Sequence, residues 1–192
     1  MRAINLVWKG LTIAPARFVR QGARVTWLWL YEKFLRLRDG VSPAETSRVT
    51  DRLFVGGQHY ERGLGRMKSL GIGATVNLRE EADDSQRGVA FQRHLWLPTP
   101  DDGAPTIEQL REGVAFIRAS LAAGTGVYVH CAQGVGRAPT MAAAYLVSEG
   151  HSPREAMEAI RAARPFITPT PVQMSRLDEW ARSMKNDKRQ MD

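Results

Sequence analysis

Cys131 and Arg137, a cysteine and an arginine six positions apart, are the residues whose types and spacing could do chemistry. Gly134 and Gly136 lie between them and permit backbone conformations that other residues avoid. The β-branched and aromatic residues 127–129, just before the cysteine, predict a short buried strand. The glycines therefore predict a tight loop that begins at the end of this strand.

A helix is predicted after the loop, over residues 140–149, with Ala138 and Pro139 in its first turn. In a strand–loop–helix unit, loop amides at the positive end of the helix dipole bind an oxyanion such as phosphate. The predicted phosphate-binding residues are Ala132, Gln133, Gly134, Val135, Gly136 and Arg137.

Two side chains would make this anion site reactive. Aligned amides, a helix N-terminus and a nearby arginine favour a thiolate, and cysteines in such settings have pKa values of roughly 3.5 to 7.5. A thiolate at Cys131 would be a nucleophile near neutral pH without a separate base. Arg137 would offer a planar fork to two phosphate oxygens. The pattern predicts phosphoryl transfer.

These residues resemble the His-Cys-x5-Arg signature of the cysteine-dependent phosphatases, which His130, Cys131, Gly134 and Arg137 match. The family usually has Ser or Thr directly after the arginine, where the hydroxyl stabilises the thiolate leaving group. This chain has Ala138 there, without a hydroxyl. The replacement should therefore affect the rate at which the covalent cysteinyl-phosphate intermediate breaks down. The sequence Gly-Val-Gly-Arg-Ala-Pro is similar to the loop of plant glucan phosphatases.

Two further sequence segments, residues 53–57 and 76–81, resemble the N-terminal part of dual-specificity phosphatase domains. The resemblance covers roughly residues 47–183. It implies an α/β domain with a mostly parallel central sheet flanked by helices. It also implies a reaction without metal or cofactor, in which Cys131 attacks phosphorus and water then hydrolyses the cysteinyl-phosphate.

The resemblance also implies a general acid on a mobile loop, an Asp followed soon by a Pro. Residues 97–106 form a proline-stiffened stretch, and Asp101 has the matching offset before Pro105. Asp102 is the second candidate for the general acid. A role in a turn that caps the helix starting at Thr106 would explain an aspartate at this position equally well. We therefore expect Asp101 to protonate the leaving oxygen and later to activate water.

A narrower resemblance leads to three hypotheses about function. The run from Thr99 to Ile160, with Asp-x-x-x-Pro-Thr and Met-x-Ala-Ala-Tyr-Leu, is similar to mitochondrial phosphatidylglycerophosphate phosphatases. The first hypothesis is a phosphotyrosine-type or dual-specificity protein phosphatase. The second is a phospholipid or glucan phosphatase on the same scaffold, and the third is a catalytically weak phosphate-binding module that docks at membranes. The expected partners are a phosphorylated protein or a phospholipid.

The charge of the chain is concentrated at one end. The net charge is +7, and residues 1–38 hold eight Lys or Arg and one acid, Glu32, so the whole excess lies there. The rest is balanced, which argues against a nucleic-acid-binding domain. The single cysteine excludes an internal disulfide and fits a reducing, cytoplasmic location. No Cys/His cluster is visible in the sequence, so no metal site is predicted.

Residues 17–38 combine aromatic and aliphatic residues with arginines, and predict a helix that ends near Gly40. Such a helix suits an anionic membrane interface, which would place the protein peripherally on the inner face of a membrane. Packing on the domain or on a second copy is the alternative. Glu32 argues against a mitochondrial presequence, and we expect no secretory signal and no membrane span. The predicted units are residues 1–46 (arm), 47–184 (catalytic domain) and 185–192 (polar tail).

The remaining elements follow from local patterns. Thr106 with Gln109 predicts a capping box for a helix to residue 122, and Ser152 predicts the start of another. The acids of residues 79–84 are expected to form a solvated rim, followed by a helix over residues 84–92. Side chains expected to be only structural or solvated are His59, His94, His151, Arg161, Arg164 and Gln173.

Overall fold

The computed structural model describes the backbone of residues 2–191 and the side chains of residue 15 and residues 18–186. Its strands are β1 (Leu53–Gly56), β2 (Ile72–Arg79), β3 (Arg93–Thr99) and β4 (Gly126–His130). Its helices are α1 (Arg2–Asp39), α2 (Leu64–Ser69), α3 (Ile107–Ala122), α4 (Arg137–Ser148), α5 (Pro153–Ala163) and α6 (Pro171–Met191). Short 3-10 turns occur at Ala44–Thr46 and Glu61–Gly63.

The four strands form one sheet in the order β1-β4-β2-β3, and every neighbouring pair is parallel. The predicted α/β class is confirmed, with a wholly rather than mostly parallel sheet. Val129 of β4 is in register with Val55 on one side and Val76 on the other. β4 is therefore central, and its carboxyl end opens into the cysteine loop, the edge where parallel sheets place their ligands.

The core lies between the sheet and the helices that cover it. All five residues of β4 are buried, which fits its β-branched and aromatic composition. α4 follows the cysteine loop and is buried over most of its length, because the small residues 142–144 let it pack closely. α3, α5 and α6 surround α4. The start of α4, and so the loop before it, is fixed by contacts on several sides.

Two predicted helix starts are confirmed in detail. At α3, the Thr106 side chain accepts a hydrogen bond from the Gln109 amide, and the Gln109 side chain accepts one from the Thr106 amide. At α5, Ser152 and Glu155 make the same reciprocal pair. Each box satisfies two amides that a helix leaves without partners at its N-terminus.

α1 forms most of the N-terminal arm, and it packs on the domain along one face. Gly22 (φ 80°, ψ 169°) interrupts the helical backbone, and Gly40 (φ 80°) follows its last residue. Trp29 and Thr26 on the packed face are buried. No described helix has the length and apolar character needed to cross a membrane.

One predicted element is wrong. Residues 84–92 form turns rather than a helix, since Gly88 adopts a positive φ of 67° and the Asp84 side chain points into the interior. α6 continues to Met191, so residues 185–191 of the predicted polar tail are helical.

Candidate active site

The loop between β4 and α4 holds Cys131 at the centre of the site. Cys131 is 3% exposed, and the Gly134 amide donates a hydrogen bond to its Sγ at 3.2 Å. An amide aimed at sulfur favours negative charge there. Gly136 caps α4, so the positive end of that helix also faces the loop. The predicted nucleophile and the loop amides are thus brought together.

Gly134 is a position that only glycine fits. Its φ is +66°, and a Cβ built on it would lie 2.3 Å from the carbonyl carbon of Gly56. The cysteine loop therefore rests directly on the turn that follows β1. A second contact joins the two segments, because the Gln58 amide donates to the Ala132 carbonyl at 3.2 Å.

Arg137 is the first residue of α4 and is 2% exposed. Its Nη1 donates to the Thr99 carbonyl at 2.8 Å and to Glu81 Oε2 at 3.0 Å. Burial acts to raise the pKa of Glu81, but hydrogen bonds from Arg137 and others outweigh it and lower that pKa to about 2. The guanidinium is therefore held in place by an ionised carboxylate and the end of β3. It is positioned to close an anion site above the loop.

Asp101 lies against Arg137, and its Oδ1 is 2.8 Å from Arg137 Nη2. Its side chain is 73% exposed. Asp102 adopts a positive φ of 61°, and its backbone carbonyl accepts a hydrogen bond from the Thr170 hydroxyl. Of the two candidate acids, Asp101 has its carboxylate at the phosphate loop.

The acids of residues 79–84 were expected on a solvated rim, and this expectation is wrong for Asp84, which is fully buried with its Oδ2 2.7 Å from His130 Nε2. Glu81 is exposed as expected, and it also holds Arg137. Burial raises the pKa of Asp84, but His130, His59 and Arg87 lower it overall to about 2. Asp84 therefore anchors the residue that precedes the nucleophile.

His59 is the third member of this buried cluster, with its Nε2 3.9 Å from Asp84 Oδ2. The ligand-type atoms of His59, Asp84 and His130 lie within 4.8 Å of one another, a spacing that could hold a metal ion. Each already has a protein partner, since His59 Nε2 lies 2.9 Å from the Val89 carbonyl and His130 Nε2 pairs with Asp84. Hydrogen bonding accounts for this arrangement.

Arg164 approaches the loop from its inner side and is fully buried. Its Nε donates to the Gly134 carbonyl at 2.7 Å, and its Nη2 donates to the Gln133 carbonyl at 3.1 Å. The sequence interpretation of Arg164 as a structural residue missed this contact. The signal was weak, because arginines are frequent near helix ends.

The arm presents an apolar face to solvent on the side away from the domain. Arg36, one of the basic residues counted toward a membrane surface, is instead 2% exposed and packed inward. Arg20 and Arg24 are exposed. The large apolar residues exposed along the arm are Phe18, Val19, Trp27, Leu30, Tyr31, Phe34 and Leu37.

Comparison with known proteins adds independent information. The family model described as dual specificity phosphatase, catalytic domain, matches residues 53–183. A protein of Arabidopsis thaliana named phosphatidylglycerophosphate phosphatase PTPMT2 is 29% identical over 141 residues, 70% of this chain and 62% of that protein. The Mus musculus phosphatidylglycerophosphatase and protein-tyrosine phosphatase 1 is 43% identical over 99 residues, 48% of this chain and 51% of that protein.

Another relative is named for protein phosphatase activity alone, and a solved structure shares the fold. Dual specificity protein phosphatase 15 of Rattus norvegicus is 32% identical over 125 residues, 64% of this chain and 51% of that protein. The crystal structure of PTPMT1 in complex with PI(5)P has a TM-score of 0.68 and 28% identity, and covers 73% of this chain and 97% of that chain. The matched segments span between half and two thirds of these curated relatives.

Proposed function

Because the chain belongs to the dual specificity phosphatase catalytic-domain family, we propose that it hydrolyses phosphate monoesters through a cysteinyl-phosphate intermediate. One observation carries this proposal. The Gly134 amide is aimed at Cys131 Sγ, in a loop that Arg137 closes. A nucleophile, fixed amide donors and a guanidinium are the groups that phosphoryl transfer needs, since positioning and charge stabilisation dominate its catalysis.

The steps follow from these positions. Cys131 Sγ forms a bond to phosphorus as the bond from phosphorus to the ester oxygen breaks. Asp101, displaced from Arg137 and in its protonated form, gives its proton to that departing oxygen. A water then attacks phosphorus and loses a proton to Asp101, and the sulfur–phosphorus bond breaks to regenerate the thiolate. Asp101 meets Arg137 before substrate arrives, so an incoming phosphate would replace its carboxylate at Nη2 and leave it beside the ester oxygen.

The substrate class we favour is a phospholipid monoester. Two relatives are named for phosphatidylglycerophosphate, and a related structure holds PI(5)P. The exposed apolar face of the arm supports a site that works beside a lipid surface. A phosphorylated protein is the second candidate, favoured by the similarity to dual specificity protein phosphatase 15 and by the protein-tyrosine phosphatase part of the mouse relative's name.

A substrate panel with the full chain tests this choice. We expect phosphatidylglycerophosphate to give a larger kcat/KM than a phosphotyrosine peptide or a phosphorylated glucan. A higher value for the peptide would favour the protein-phosphatase alternative. If the chain does not hydrolyse even a generic aryl phosphate, the result would support the third hypothesis, a catalytically weak phosphate-binding module.

We further propose that the arm lies on an anionic membrane through its exposed apolar face. Trp27 and Phe34 are 66% and 61% exposed, and Trp29 and Glu32 on the opposite face are buried against the domain. Packing on the domain therefore accounts for the face that carries Trp29 and Glu32. The opposite face, which carries Trp27 and Phe34, stays free to contact a lipid surface. Exposed basic residues near such a surface contribute about 1 kcal/mol each, and the apolar residues add a part that resists salt.

Vesicle co-sedimentation with matched variants tests the arm. Truncation is unsuitable, because it would remove the buried Glu32 and Trp29. We compare Trp27→Ser/Phe34→Ser with Val172→Ser, which alters a 49% exposed apolar residue outside the arm. The double variant should lose binding to anionic vesicles, and Val172→Ser should keep it. Equal partitioning of the two would contradict the membrane proposal.

A further inference from the structure

Glu32 of the arm is a buried carboxylate that joins the arm to the catalytic domain. It is 1% exposed, and its Oε1 accepts hydrogen bonds from Ser42 Oγ at 2.5 Å and from Arg164 Nη2 at 3.1 Å. Arg36 Nε lies 3.5 Å from the same oxygen. Burial acts to raise the pKa of Glu32, but the two arginines and Ser42 lower it overall. Glu32 is thus an ionised partner for two buried cations.

One of these cations, Arg164, controls the direction of two peptide groups in the phosphate-binding loop. It binds the carbonyls of Gln133 and Gly134. A trans peptide is planar, so its N–H points opposite to its C=O. Holding the Gln133 carbonyl inward therefore turns the Gly134 amide outward, and this amide is the one that donates to Cys131 Sγ. Holding the Gly134 carbonyl inward turns the next amide, of Val135, outward in the same way.

The second cation, Arg36, reaches the loop directly. Its Nη2 donates to the Gln133 side chain at 3.2 Å, and its Nη1 donates to the Gln58 carbonyl at 3.3 Å. Ser42, the other partner of Glu32, accepts from the Gly57 amide at 3.2 Å. The arm therefore also holds the turn on which the loop rests.

We propose that Glu32 is a positioning residue for the phosphate-binding loop, acting through Arg164 and Arg36. The inference rests on the proposed phosphatase function and names a contribution from outside the matched family domain, which begins at residue 53. The docked arm is then part of the active-site structure. Glu32 touches no substrate, and it orients the amides that do.

The test compares Glu32→Gln with Asp39→Asn in the full chain. Asp39 lies on the same helix and pairs with Arg38 and Arg66. Both changes replace a carboxylate by its amide. For Glu32→Gln we expect kcat on an aryl phosphate to fall about 10-fold to 100-fold, as a shift of the reacting groups by about 1 Å would produce. The Kd for inorganic phosphate, measured by calorimetry, should rise about tenfold. Asp39→Asn should match the wild type in both.

A purely structural role would give a different result. It would lower the amount of folded protein and leave the phosphate Kd of the folded fraction unchanged. If Glu32→Gln does not fold, Arg36→Met decides, because it removes the contact to Gln133 and leaves Glu32 paired with Arg164. We expect Arg36→Met to raise the phosphate Kd several-fold.

The outcomes separate this inference from the proposed function. A wild type that neither binds phosphate nor turns over aryl phosphate would overturn the proposed function. If the wild type does both and the folded Glu32→Gln variant keeps the same phosphate Kd and kcat, the positioning role alone would be overturned. If Glu32→Gln does not fold, unchanged values for Arg36→Met would overturn it.

Discussion

The two sides of the phosphate-binding loop differ in how their charges are paired. At the mouth, Arg137 meets Glu81 and Asp101, whose side chains are 42% and 73% exposed. On the inner side, Arg164 meets Glu32, and these side chains are 0% and 1% exposed. A pair whose carboxylate is exposed to solvent can exchange that partner, whereas breaking a fully buried pair costs about 3–5 kcal/mol.

This difference separates two tasks. The mouth must let a phosphate replace a carboxylate on Arg137, and the solvent-exposed Asp101 allows that exchange. The inner side must keep the loop amides in one direction, and the buried contacts of Arg164 do so. Changes at the mouth should therefore alter activity more than stability. Changes on the inner side should alter both.

The largest effect on activity is expected at Arg137. Arg137→Lys keeps the charge but loses the planar fork, so kcat/KM should fall about 10³-fold. Arg79→Lys is the matched control, since Arg79 pairs with the same Glu81 at 3.0 Å and its Nη1 donates to the Gln58 side chain, outside the loop. Steady-state kinetics on an aryl phosphate compare the two. Equal losses would show that Glu81 pairing, and not the fork over the loop, is what matters.

The next effect is expected at Asp101. Asp101→Asn should lower kcat on alkyl phosphates about 10²-fold or more, because the leaving oxygen then receives no proton. The loss should be smaller for an aryl phosphate with an acidic leaving group. Asp102→Asn changes the neighbouring residue, whose backbone rather than side chain is engaged, and should have little effect. A larger loss for Asp102→Asn would reverse the assignment.

A smaller effect, on stability, should come from the buried cluster of His59, Asp84 and His130. Burial, and then His130, lowers the pKa of His59 from 6.5 to about 4, with Asp84 opposing and Arg87 contributing. The folded state thus favours neutral His59. Neutral His59 contributes its full share to the free energy of unfolding above about pH 6.5, and this contribution is lost as the pH falls towards 4, by about 3 kcal/mol in all.

Denaturant unfolding at several pH values measures this loss. His59→Gln should flatten the profile between about pH 6.5 and 4. Asp84, whose folded pKa is about 2, should lose its contribution only at lower pH, between about 4 and 2. If the wild type and His59→Gln lose stability in parallel above pH 4, His59 is not the cause.

Local patterns predicted the fold well. The β-branched run of β4, the glycines after it and the capping residues Thr106 and Ser152 each determine structure within a few residues. The elements around the cysteine loop followed from these signals. The predicted helix over residues 84–92 failed because Asp84 is drawn inward by His130, a partner 46 positions away.

Long-range pairing also explains what the sequence left undetermined at the site. Glu81 and Asp84 lie in a run of charged residues that is typical of a solvated loop. Asp84 is turned inward only by His130 on β4, and Glu81 stays exposed but pairs with Arg137 on α4. Glu32 gave a faint signal, because it is the one acid among the eight basic residues of positions 1–38. Its role depends on Arg164, 132 positions away, and no local pattern indicates that pairing.

The proposed phosphatase reaction requires a covalent bond between Cys131 and phosphate. The direct measurement is to quench the full chain in acid during turnover of an aryl phosphate and to map phosphorylation by peptide mass spectrometry. We predict a single phosphoryl group on Cys131, and neither adduct nor turnover in Cys131→Ser, which should still bind inorganic phosphate. Continued turnover by Cys131→Ser, or turnover by the wild type with phosphate on another residue, would contradict the account.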